Sequence, residues 1–221
     1  MIKKIFSYLY PIKIYQSKSL LSKSIEVTWA NGELVLDSEN ANYSYGSLQR
    51  ILRFGLKNIG FSKIASMNHI LVLGVAGGSV IKTLVDEIKY KNKITGVEID
   101  PEISKVANTY FKLNEIENLE IIIDDAFEFV LKTKNKYDLI IIDIFQDTEM
   151  PSFLFETFFV KRICSLLKNN GFVLFNTMIL NEVQNLRNKK YVSEFYENNF
   201  KIRTLPRVEQ HNELIVIEKV N

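Results

Sequence analysis

From about residue 70 onward, nearly continuous apolar runs alternate with segments of helical period. The runs are HILVLG (69–74), KITGVEI (93–99), LEIIID (119–124), YDLIIID (137–143) and GFVLFNT (171–177). Strands covered on both faces by helices have no solvent side, so such runs predict a buried, mostly parallel sheet. Helix start signals lie between them. Asp100-Pro101 offers an N-cap and a first-turn proline, Asp125 opens AFEFVLK, and Pro151-Ser152 opens SFLFETFFVKRICSLL, with Gly171 as the following stop. A further helix is expected around 181–198. The segments FKIRTL (200–205) and ELIVIEK (213–219), separated by PRVEQHN, predict a closing antiparallel pair at the sheet edge. The fold class is therefore α/β, with a sheet of seven strands that ends in a hairpin.

The first 65 residues have another texture. SIEVTWA and ELVLDS are joined by Asn31-Gly32, the strongest two-residue hairpin signal. A helix over 47–60 follows, with Leu48, Ile51, Leu52, Leu56 and Ile59 on one face. This predicts a β-rich cap with its connecting helix over 1–65 and a ligand-binding sheet domain over 66–221.

Composition narrows the function classes. The chain has 221 residues, 47% hydrophobic and 24% charged, which is ordinary for a core-forming globular protein. Lys+Arg 28 against Asp+Glu 26 gives a net charge of +2, too little for a phosphate-backbone footprint, so no nucleic-acid partner is expected. The single cysteine, Cys164, has no disulfide partner and sits in the apolar run ICSLL, which points to a reducing, cytoplasmic setting. The N-terminal MIKKIFSYLYPIKIYQSK is interrupted by Tyr, Pro and Lys, so it is read neither as a signal peptide nor as a membrane segment. No metal site is read from the sequence.

In an open parallel sheet, ligands bind beyond the carboxyl ends of the strands. The chemistry-bearing residues fall there. Gly74-Val75-Ala76-Gly77-Gly78-Ser79 ends the first run, Glu98 the second, Asp124-Asp125 the third, with the small Ala126 behind them, and Asp143 the fourth. A glycine-rich turn admits a ligand to the backbone, one strand-end acid is placed for ribose hydroxyls, and another for an adenine amino group. Together these describe a nucleoside pocket. The turn reads G-V-A-G-G, not the G-x-G-x-x-G of dinucleotide sites. Asp100 reads as a helix cap, whereas Tyr43, Tyr45 and the turn residue His211 are open to either packing or substrate roles.

The order LVLGVAGGS, GVEIDP, IIDDAF, YDLIIID resembles the class I S-adenosylmethionine-dependent methyltransferase superfamily, and in detail its spermidine synthase-like branch. The resemblance implies a Rossmann-like sheet, a homodimer, and S-adenosylmethionine or its decarboxylated form as cofactor. Carried over by position, it implies Gly74, Ala76, Gly77 and Gly78 around the methionine part and Glu98 on the ribose. Asp124, Asp125 and Ala126 fall at the adenine, and Asp143 beside the reacting carbon. Tyr43 and Tyr45 match the branch's tyrosine stretch at the small-molecule acceptor, and Gln146, the neighbouring Asp147 and, from its place in the last turn, His211 are the other candidate acceptor residues. The departures are Gly77 and Gln146 where the branch carries acids, Gly46-Ser47 after the tyrosines, and PRVEQHNE in the last hairpin. Asp147 and Glu149 offer partial replacement. These departures lead to the expectation of methyl transfer to an unidentified small molecule. The alternatives are polyamine aminopropyl transfer and a non-catalytic binding module.

Overall fold

The structure is a computed structural model that describes residues 2–19, 24–38, 42–146, 149–195 and 199–220, the side chains of Asn42 and Tyr43 excepted. A short helix α1 (Ile2–Phe6) precedes the strands β1 (Ile12–Ser17), β2 (Ile25–Ala30), β3 (Glu33–Ser38) and β4 (Asn42–Ser44). These four form an antiparallel sheet in sequential order. Asn31 and Gly32 both take positive φ, 50° and 79°, as a tight hairpin turn between twisted strands requires. The cap is thus a four-stranded sheet and more than the expected hairpin.

Helices α2 (Gly46–Ile59) and α3 (Phe61–Ala65) lead into β5 (His69–Leu73), and α4 (Ser79–Lys82), extended by a π-helical turn over Thr83–Glu87, leads to β6 (Lys93–Glu98). Then come α5 (Pro101–Phe111), β7 (Leu119–Ile123), α6 (Ala126–Lys132), β8 (Tyr137–Ile142), α7 (Thr157–Leu166), β9 (Leu167–Met178), α8 (Glu182–Ser193), β10 (Phe200–Val208) and β11 (Asn212–Lys219). The large sheet has the order β10-β11-β9-β8-β5-β6-β7. Strands β5 to β9 pair in parallel, and β11 pairs antiparallel with both β9 and β10.

Alternation explains the continuous apolar runs. Ile70 and Val72 face one core with Ile51, Leu52 and Leu56 of α2, while Leu71 and Leu73 face the other with Phe159 and Ile163 of α7. A third cluster joins the cap to α5, through Ile25, Val27 and Leu36 against Ile103, Val106 and Phe111. All of these cap residues are fully buried.

Three boundaries differ from expectation. The helix expected from Ser152 is broken into a 3-10 turn over Ser152–Phe155 and α7, because Glu156 is extended. That helix ends before Gly171, since Leu167 already pairs with Tyr137 and Lys168 reaches Asp138 at 2.8 Å. Strand β10 runs to Val208, which reduces the connection to Glu209, Gln210 and His211.

Candidate active site

The carboxyl ends of β5, β6, β7 and β8 are held level by main-chain hydrogen bonds. Gly74 N–H donates to Val97 O at 3.0 Å, Asp124 N–H to Glu98 O at 3.1 Å, and Asp143 N–H to Leu73 O at 2.9 Å. Gly74 has φ 86°, and a side chain there would place its Cβ 2.1 Å from the Asp143 carbonyl oxygen. Only glycine lets the first and fourth strand ends approach so closely.

These ends border a cavity of about 810 Å³. Glu98 is buried, 6% exposed, and its Oε2 accepts from the N–H groups of Val75 and Ala76 at 3.2 and 2.9 Å while Oε1 accepts from Asp100 N–H at 3.0 Å. Burial pushes the Glu98 carboxyl above the ordinary range against these hydrogen bonds. It shapes the glycine loop and lines the cavity at once. Asp125 caps α6, its Oδ1 accepting from Phe127 N–H at 2.7 Å, and Asp124 Oδ1 accepts from Asp125 N–H at 2.9 Å. A carboxylate has about four lone-pair sites, so these structural bonds leave capacity for ligand donors. Asp100 is the cap of α5, as its spacing before Pro101 predicts, and accepts from Glu102 N–H at 2.9 Å.

Asp143 lines the cavity half-buried. The surrounding protein pushes its carboxyl up to about 6, with a hydrogen bond from Asn176 opposing the shift. A carboxylate with that affinity for protons is matched to proton transfer near neutral pH.

The cavity brings together Gly74, Ala76, Glu98, Asp124, Asp125, Ala126, Asp143, Gln146 and His211. It does not bring in Gly77, Gly78 or Tyr45. Gly77 leaves room for the Ser44 side chain, 2.7 Å from the position of an added Cβ, and Gly78 for Leu113 at 2.5 Å. Tyr45 stacks on Phe111 with ring centroids 4.6 Å apart, and burial followed by Asp86 holds its hydroxyl well above the ordinary range. Gly77 and Tyr45 serve the junction of cap and sheet domain, and Gly78 packs within the sheet domain. The Tyr43 side chain and Asp147 lie outside the described residues.

Sequence reasoning missed Asn176 and Asn212, both on the cavity wall. A polar residue at the carboxyl end of the apolar run GFVLFNT was the available signal for the first. It also missed the apolar walls, Ile51 of α2, Ile99 and Ile103 after β6, and Phe153 in the 3-10 turn.

The carboxylates lining the cavity are Glu98, Asp124, Asp125, Asp143 and Glu209, and no lysine or arginine lines it among the described residues. Such a site suits a ligand that is cationic and carries hydroxyl and amino donors. An adenosyl sulfonium fits that description, and a phosphate-bearing dinucleotide does not.

A family model described as spermine/spermidine synthase domain matches residues 54–212. The chain belongs to this family. A polyamine aminopropyltransferase of Vibrio vulnificus is 31% identical over 138 residues, covering 61% of this chain and 46% of that protein. One of Prochlorococcus marinus is 33% identical over 147 residues, covering 60% and 52%. The chain spans about half the length of the curated relatives it matches. A spermidine synthase structure from Thermotoga maritima superposes with a TM-score of 0.69 at 16% identity, covering 95% of this chain and 73% of that one. That likeness is one of fold.

The family match and the relatives' names correct the expectation of methyl transfer. The expectation rested on the missing acids at Gly77 and Gln146, on Gly46-Ser47 after the tyrosines and on PRVEQHNE in the last hairpin. Gly77 packs against the cap, away from the cavity, while the wall retains its other carboxylates.

Proposed function

We propose that this chain transfers an aminopropyl group from decarboxylated S-adenosylmethionine to the amine nitrogen of a polyamine-type acceptor. The observation that carries this reading is the cavity wall of carboxylates, without a lysine or arginine among the described residues. A donor with a carboxylate on its tail meets only like charge there, and Val75 and Ala76 already give their N–H groups to Glu98. A donor without that carboxylate meets complementary charge.

Glu98 holds the ribose hydroxyls, and Asp125, with Asp124 and Ala126, the adenine edge. When bound, the donor supplies an alkyl carbon next to a sulfonium, and sulfur keeps the electron pair as its bond to that carbon breaks. Asp143 orients the acceptor amine and takes the proton that its nitrogen sheds. Gln146 and His211 line the acceptor end, with Tyr43 assigned there by the family's tyrosine stretch and Asp147 as a replacement for the acid missing at Gln146. A cytoplasmic setting, supported by the lone Cys164, and a homodimer, supported by the exposed Ile2, Ile5, Phe6 and Leu9, belong to the same proposal. Sedimentation measures the second.

The test supplies putrescine with either the decarboxylated or the intact donor and follows nucleoside and amine products. Release of the methylthio-nucleoside with an aminopropylated amine, from the decarboxylated donor alone, is expected. Methylated product from the intact donor, or no turnover with either, overturns the reading.

A further inference from the structure

The cavity wall contains a chain of amides that ends on Asp143. Asn212 Nδ2 donates to Asn176 Oδ1 at 2.9 Å, and Asn176 Nδ2 donates to Asp143 Oδ1 at 2.9 Å. Asn176 is fully buried and Asn212 is 9% exposed. The two asparagines sit on neighbouring strands, Asn212 opposite Met178 and Asn176 opposite Leu214, so their side chains meet diagonally across the β9–β11 pair.

The direction of this chain is determined chemically. An asparagine amide turned end for end exchanges a donor for an acceptor. With the Asn212 donor in place, Asn176 Oδ1 is drawn toward it and Nδ2 is left for Asp143. In the opposite orientation, the Asn176 oxygen faces a carboxylate oxygen and two NH₂ groups face each other. A buried amide so mispaired loses both hydrogen bonds.

We propose that Asn212 is a positioning residue which, through Asn176, holds Asp143 ionised and leaves Oδ2 as the oxygen offered to the acceptor amine. The role in catalysis rests on the aminopropyl-transfer reading; the amide chain itself does not. The other ionisable groups on the same wall are Glu98, Asp124 and Asp125 at the ends of β6 and β7, and Glu209 and His211 in the β10–β11 turn. Arg50 of α2 comes near this turn, and its guanidinium is engaged by Glu209 at 2.7 Å. Asn176 is therefore the donor that opposes the effect of burial on Asp143.

The experiment titrates the Asp143 carboxyl by carbon-13 NMR in the substrate-free protein, with Asp143→Asn assigning the signal. Asn176→Leu is expected to raise the midpoint by about one pH unit, since it removes a direct hydrogen bond to the ionised form. Asn212→Leu is expected to raise it by about half as much. The double variant is expected to match Asn176→Leu alone, because Asn212 acts only through Asn176. Asn212→Ala is the milder second variant should the leucine disturb folding. An unchanged midpoint in the Asn212 variants, or additive shifts in the double, overturns the proposal.

In turnover, the acid limb of the pH–rate profile is expected to move with the NMR midpoint, which costs Asn176→Leu up to about tenfold in rate below that limb and little above it. A residue that only braces the sheet lowers the rate at all pH values alike, and that result counts against positioning. Shifted midpoints without aminopropyl transfer uphold the relay and overturn the functional reading. Transfer with unmoved midpoints does the reverse.

Discussion

An aspartate sits near the start of strand β8 and another just past its end, and the two behave oppositely. Asp138, at the amino end, accepts from Lys168 Nζ at 2.8 Å, His69 N–H at 2.8 Å and Asn68 N–H at 3.1 Å. Burial raises its carboxyl, but Lys168 and the two N–H groups outweigh that and leave it below the ordinary range. Asp143, five residues on and roughly 16 Å away along the strand, has one neutral amide, and burial pushes it up to about 6. The same residue type is thus a structural anchor at one end of the strand and, at the other, a carboxyl that holds its proton more tightly than usual. The partners decide which.

The largest effect that sharpens this contrast is on Asp143 itself. Asp143→Asn is expected to lower kcat by about 10²–10⁴, read as release of the methylthio-nucleoside, with donor binding retained in calorimetry. Its stability effect has the opposite sign. The folded carboxyl binds a proton more tightly than the unfolded one, so holding it ionised costs stability as pH rises from about 4 toward about 6. Asp143→Asn is expected to gain about 2 kcal/mol above that window and nothing below it. A variant that is both inactive and less stable at pH 7 breaks the contrast.

Next in size is Gly74→Ala. A Cβ at this position meets the Asp143 carbonyl at 2.1 Å, at a φ of 86°. The combination of left-handed backbone and overpacking costs about 3 kcal/mol, measured by denaturant unfolding. It is also expected to displace Asp143 and lower the rate. A tolerated alanine shows that the strand ends do not need this approach.

Both aspartates were visible in the run YDLIIID, and so were the glycine turn and the acids at the other strand ends. Buried strands announce themselves, because a strand covered on both faces is apolar throughout and its first polar residue marks its end. Strand β1 was not visible. Its Lys13 and Gln16 face outward and a register shift between Lys13 and Tyr15 breaks its alternation. Strand β4 spans only Asn42–Ser44 and exists through its pairing with β3. Asn176 and Asn212 are 36 positions apart and meet only through the β9–β11 register. Gly77 and Tyr45 show the reverse limit, since only the tertiary neighbours Ser44 and Phe111, each distant in sequence from the residue it meets, reveal the packing at each position.

A smaller effect belongs to the anchored end. Because the folded Asp138 carboxyl ionises more readily than the unfolded one, it adds stability above about pH 4, and that contribution fades as pH falls below it. Lys168→Met removes one of its donors. The pair is partly exposed, with side chains 35% and 19% accessible, so the expected loss at pH 7 is about 1 kcal/mol. The difference from the parent chain should shrink in acid unfolding as pH falls below about 4. A loss that persists there assigns Lys168 a packing role.

The smallest effect tests a carboxylate on the cavity wall that is ion-paired, Glu209. Glu209 is held by Arg50, through Nε at 2.7 Å and through its second nitrogen at 3.1 Å, and Arg50 lowers the Glu209 carboxyl by that hydrogen bond and by its charge. Both side chains are well exposed, so the pair contributes under about 0.5 kcal/mol to stability. Arg50→Ala should leave the unfolding midpoint nearly unchanged. It removes a positive charge from the mouth and frees a carboxylate, so KM for a cationic acceptor is expected to fall about twofold at low salt, with the gain lost as added salt shortens the screening length. A KM that rises instead makes the Arg50–Glu209 pair a clamp on the β10–β11 turn, and places the shape of that turn above its charge in binding the acceptor.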